Sequence, residues 1–67
     1  MTNNFEGTFA FETWHNGGLQ MSAFYEGIHA INFIYMHEQS RTFADLHVYH
    51  NKIEALTAYE QLQSEVN

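Results

Sequence analysis

The sequence predicts an α+β domain: a small antiparallel sheet, made of an N-terminal β-hairpin plus one or two further strands, covered on one face by a C-terminal helix. Three observations carry that expectation. Two aromatic-rich segments, FEGTFAFETW and LQMSAFYEG, flank the glycine pair of HNGG at 15–18, the pattern of a hairpin. The segment TFADLHVYH at 42–50 alternates in polarity like a strand. Asn51, with Glu54 three residues on, then opens a stretch whose apolar residues recur at helical spacing. Strands grouped ahead of a helix give an α+β layer rather than alternating βα units.

The hairpin register follows from its loop. With Asn16, Gly17 and Gly18 as the connection, His15 pairs with Leu19, Thr13 with Met21, Phe11 with Ala23 and Phe9 with Tyr25. Side chains alternate along a strand, so Thr8, Glu12, Trp14, Gln20, Ser22 and Glu26 take the opposite, less apolar face. Slipping by one residue would mix the two sets. Such loops place a glycine in the left-handed conformation, here Gly18.

Gly27 interrupts the pattern, and IHAINFIYMHE beyond it fits two periods. A helix would stack Ile28, Ile31 and Tyr35; a strand would set Ile31, Phe33 and Tyr35 against Asn32, Ile34 and Met36. The wealth of Ile, Phe and Tyr and the absence of an N-cap residue favour the strand. EQSR at 38–41 suits a turn. In 42–50, Leu46 and Val48 face one way and Asp45, His47 and Tyr49 the other. The final helix takes Asn51 as N-cap and carries Ile53, Leu56, Tyr59 or Glu60, Leu62 and Val66 as its apolar stripe, fraying at the end.

A chain of 67 residues is a single domain, 1–67, with a marginal core. It has no cysteine, which removes disulfides, a thiol nucleophile and cysteine-based zinc sites. Six Phe, four Tyr and one Trp are more rings than a core of this size covers. The surplus points to a partner chain, and a homodimer is the expectation for the isolated protein.

Eight acidic residues against Arg41 and Lys52 give a formal charge of −6. Two cations cannot line a phosphate-binding groove, so direct nucleic-acid binding is excluded, and anionic membranes are disfavoured. The expected partner is a protein, and a basic nucleic-acid-binding protein fits best. Protonating all five histidines adds five positive charges to −6 and leaves −1, a change that can alter solubility and association, but the favoured expectation is that most of them are exposed and protonate without consequence. No cationic leader segment and no run of roughly 20 apolar residues is found, which makes the expected location cytoplasmic.

DLHVYHNK at 45–52 is the one local cluster of metal-type ligands. In a strand His47 and His50 point to opposite faces, while Asp45 and His47 share one; a third ligand would have to be His15, His29 or His37. The serines lack a triad pattern and NGG lacks the length and lysine of a phosphate loop. No cofactor, metal or catalytic residue is assigned, and the expectation is a non-enzymatic protein-binding module. Carboxylates at Glu6, Glu12 and Glu26 on the hairpin and Glu54, Glu60 and Glu65 on the helix, interleaved with rings, could occupy a site that normally receives nucleic acid. In size, acidity and lack of cysteine the chain is similar to phage or mobile-element inhibitors of the anti-CRISPR kind. The partner-binding residues assigned are Trp14, Phe24, Glu12 and Glu26, an aromatic anchor ringed by charge. A histidine-based metal- or ligand-binding protein and a structural subunit of a larger assembly are the alternatives.

Overall fold

The glycines reverse the chain as expected, with one change of detail. In the computed structural model, which describes residues 7–66, Gly17 rather than Gly18 takes the left-handed conformation, with φ 83°. Strands β1 (Phe9–His15) and β2 (Leu19–Met21) pair antiparallel in the expected register, Thr13 with Met21 and His15 with Leu19. Readings that involve Phe5 and Glu6 lie outside the described residues.

Beyond Met21 the register changes. Strand β3 (Tyr25–Glu26) pairs Ala10 with Tyr25 and Phe9 with Glu26, so the return strand holds one residue more than β1 between the two ladders. That is a β-bulge at 22–24. Ser22 secures it: its N–H donates to the Glu12 carbonyl at 3.0 Å, and its hydroxyl accepts from the Glu12 N–H at 2.8 Å. The bulge swaps faces for everything after it, correcting the expected pairs of Phe11 with Ala23 and Phe9 with Tyr25. Phe24 joins Phe9 and Phe11, with ring centroids 6.0 and 6.4 Å away. Tyr25 moves to the face of Ala10, Glu12 and Trp14.

Residues 28–37, expected as a strand, begin a helix, α1 (Ile28–Ser40), which also absorbs most of the expected turn at 38–41. Gly27 explains the switch. Its φ of 68° breaks the strand, its N–H donates to the Thr8 carbonyl, and its own carbonyl accepts the first helical bond from the Ile31 N–H. Ala30, Phe33 and His37 then face the sheet at i, i+3 and i+7; Phe33 stacks on Tyr25 at 4.3 Å and His37 reaches Glu12. The stripe of Ile28 and Tyr35 faces out. Arg41 ends the helix in the left-handed conformation.

Strand β4 (Asp45–Tyr49) pairs antiparallel with β1 on the side away from β2 and β3, setting Phe11 against His47. Asn51 caps α2 (Lys52–Gln63), its Oδ1 accepting from the Glu54 N–H at 3.0 Å. Helix α2 lies on the Phe9–Phe11 face, where Tyr59 meets Phe11 and Phe24 edge-on at 5.0 and 5.3 Å. The α+β architecture with a C-terminal helix is as expected; α2 packs through Tyr59 on the Phe11 side of the sheet, and α1 packs through Phe33 and His37 on the other. Ala10, Ala30 and Ala55 are fully buried; one-carbon side chains there let both helices approach the sheet closely. Ile53, expected in the α2 stripe, is 76% exposed. Among the described residues no helix is long and apolar enough to cross a membrane.

Candidate functional site

Glu12 and Trp14 lie two apart on β1 and so share the face that α1 covers. Trp14 is half-buried, and its indole is held in place: Nε1–H donates to Gln20 Oε1 at 3.1 Å, and Gln20 Nε2–H donates to the Asn16 carbonyl at 3.2 Å. The Glu12 carboxylate is fixed from above, because His37 in the last turn of α1 donates Nδ1–H to Oε2. Both side chains are largely covered, and among the described residues no hydrogen bond occupies Glu12 Oε1.

The chain leaves α1 at Arg41 and crosses this end of the sheet before entering β4. Thr42 Oγ1 accepts from the Ala44 N–H at 3.2 Å, which fixes the turn. Phe43, at the tip of that turn, is 102% exposed. Glu12, Trp14, Thr42, Phe43 and Ala44 line an open groove of about 350 Å³. An exposed phenyl beside a half-buried indole and one carboxylate is suited to holding a ligand side chain, apolar along its length and cationic at its tip.

The four residues assigned from sequence divide between the two faces. Glu12 and Trp14 come together in the groove. Phe24 does not join them: the bulge turns it into the aromatic cluster under α2. Glu26 follows it to that face, opposite Phe9, where its carboxylate stands 3.4 Å from Lys52 Nζ in an exposed ion pair. Phe43 and His37 were missed. The available signal for Phe43 was a phenylalanine directly after the polar run EQSRT, which the expected strand from 42 absorbed.

The histidines are dispersed. His47 stacks on Phe11 at 4.7 Å and shares a 2.8 Å hydrogen bond between its Nε2 and Thr13 Oγ1. Asp45 makes no hydrogen bond to it, and His15, His29 and His50 are exposed. Among the described residues no three His, Asp or Glu side chains gather as a metal site. The Glu12–His37 pair is an acid–base dyad, and among the described residues no nucleophile is bonded to it.

No family model matches the chain, and neither curated proteins nor solved structures give a match.

Proposed function

We propose that this chain is a non-enzymatic protein-binding module that seats a cationic side chain of a larger, basic partner in the Trp14 groove. The observation that carries this reading is the groove itself, where Trp14, the fully exposed Phe43 and the Glu12 carboxylate meet. Aromatic residues are the usual anchors of protein interfaces, and a ring face with a carboxylate beside it attracts an arginine or lysine head group. The formal charge of −6 adds long-range attraction to a basic surface. Proteins that handle nucleic acid carry such surfaces. The narrowest form of the reading is an inhibitor, encoded by a phage or mobile element, of a host defence or nucleic-acid-processing protein; small size, acidity and lack of cysteine support it.

The test is affinity purification of the tagged chain from its native host, run beside Phe43→Ala and Trp14→Phe variants. Phe43 is exposed, so its truncation leaves the fold intact while removing half of the aromatic pair. A partner recovered by the parent chain and lost by Phe43→Ala supports the reading. Equal recovery by both rejects it, and so does a stoichiometric metal whose removal by chelator abolishes binding.

A further inference from the structure

We propose that the hairpin loop is a site of water-driven covalent modification: Asn16 closes on the Gly17 nitrogen to a succinimide, which opens to aspartate and isoaspartate, and the change is transmitted to Trp14. The proposal does not rest on what the Trp14 groove binds.

Residues 16 and 17 are the chain's one Asn-Gly step. Ring closure brings the Gly17 nitrogen onto the Asn16 side-chain carbon, an approach that a Cβ on the second residue obstructs and glycine permits. The structure leaves both groups free to make it. Asn16 and Gly17 are exposed, and a carbon added at Gly17 would meet nothing within 4 Å. Among the described residues neither the Asn16 carboxamide nor the Gly17 N–H makes a hydrogen bond. The Asn16 backbone is held by two bonds of 3.2 Å, from its N–H to the Gly18 carbonyl and from Gln20 Nε2–H to its own carbonyl. Both are at the long end of the usual range, so the loop opens locally at small cost.

The other asparagines among the described residues lack this freedom. Asn32 lies within α1, which fixes its backbone, and it precedes Phe33, whose ring is packed on Tyr25. Asn51 commits its Oδ1 to the Glu54 N–H and precedes Lys52.

The chemistry needs only base and water. Gly17 N gives up its proton and bonds to Asn16 Cγ; the Cγ–Nδ2 bond breaks, and the nitrogen takes up a proton and leaves as ammonia. Water then opens the ring at either carbonyl. Breaking the new bond from Cγ restores the ordinary backbone with an aspartate. Breaking the bond from the Asn16 carbonyl carbon gives isoaspartate, whose main chain runs through Cβ and Cγ.

Isoaspartate is the form that acts on the groove's anchor. The carbonyl that Gln20 Nε2 holds becomes a free carboxylate, and the loop becomes one backbone atom longer. Gln20 is also the side chain whose Oε1 accepts from Trp14 Nε1–H at 3.1 Å, so a change at residue 16 reaches the indole through a single amide. A carboxylate is a stronger acceptor than a carbonyl, and the lengthened loop alters the pairing of His15 with Leu19, next to that of Trp14 with Gln20. Either product makes the chain one unit more negative than its formal −6.

Incubating the full chain in mildly alkaline buffer tests the proposal, with peptide mapping by mass spectrometry and Trp14 emission followed together. The expected result is loss of the amide at Asn16 ahead of Asn32 and Asn51, first order in hydroxide because the attacking nitrogen must be deprotonated. Aspartate and isoaspartate should both form, and the emission should shift in step with the isoaspartate fraction. Asn16→Gln, at an exposed position, should fold as the parent does and lose both the conversion and the emission change, because the longer side chain closes a ring far more slowly. An Asn16 that keeps its amide in the folded chain overturns the proposal. So does conversion at Asn32 or Asn51 at an equal rate, or an emission unmoved as isoaspartate accumulates.

Discussion

Tyr59 on α2 donates its phenolic O–H to the carbonyl of Ser22 at 2.8 Å, while its ring packs edge-on against Phe11 and Phe24. One side chain thus ties the helix both to the sheet's aromatic cluster and to the bulge that places Phe24 in it. Tyr59→Phe keeps the ring and removes the donor, leaving the part-buried carbonyl short of a partner. The expected cost is about 1 kcal/mol. Urea denaturation should show a lower midpoint with an unchanged slope, and an unmoved midpoint would show that the bond adds nothing.

Phe11 is the hub of that cluster. It is fully buried and lies within 6.4 Å, centroid to centroid, of Phe24, His47, Tyr49 and Tyr59. Truncating a core phenylalanine to alanine costs roughly 3–5 kcal/mol, and a single core in a domain of this size supplies about the same. Phe11→Ala should therefore be unfolded at 25 °C by circular dichroism. Phe11→Leu should fold with a lowered melting temperature. A cooperative, near-parental melt for Phe11→Ala would mean the stability resides elsewhere.

The features legible in the sequence are those set locally. The loop of Asn16, Gly17 and Gly18 fixed the first hairpin pairs, two-residue alternation placed Leu46 and Val48 opposite Asp45, His47 and Tyr49, and Asn51 announced α2. The features that were not legible depend on contacts distant in sequence. The bulge exists because Ser22 bonds across to Glu12, ten residues earlier, and no periodicity records it; Phe24 and Glu26 were consequently assigned to the wrong face. Strand preference misled at 28–37 because Gly27 redirects the chain and Ala30, Phe33 and His37 find the sheet at helical spacing. Half of the groove was visible, since Glu12 and Trp14 share a face by alternation alone. Phe43 and His37 reach it only through the course of the chain between α1 and β4.

Gly27 offers a test of that redirection. Its φ and ψ of 68° and −137° are the mirror image of the polyproline conformation, so an L-residue is strained there while a D-residue is at ease. Its N–H and C=O are both engaged, with Thr8 and Ile31, so the strain cannot relax by rotation. Gly27→Ala should cost about 1–3 kcal/mol, and D-alanine introduced by chemical synthesis should recover parental stability or better. Equal destabilisation by both enantiomers would point to crowding instead.

At the start of α2, Asn51 occupies the N-cap with extended backbone and satisfies the Glu54 N–H. Asn51→Ala should destabilise the fold by about 1 kcal/mol, and Asn51→Asp by little or nothing. Thermal melts of the two variants side by side check this. Equal losses would show that the cap's hydrogen bond is not what matters.

Trp14 is the chain's one tryptophan, so its emission reports on the groove directly. Short peptides carrying arginine, or norleucine as the uncharged comparison, can be titrated against it. Glu12→Gln preserves an acceptor for His37 and removes only the charge, so the structure should hold. A charge-assisted hydrogen bond contributes more than a neutral one, by about 1 kcal/mol, and the groove is open to solvent. Glu12→Gln should therefore weaken the arginine peptide severalfold, leave norleucine unchanged and flatten the salt dependence. Phe43→Ala should weaken both peptides while changing stability by no more than about 0.5 kcal/mol. If norleucine bound as tightly as arginine to the parent chain, the carboxylate would have no part in recognition and the groove would be an apolar cleft.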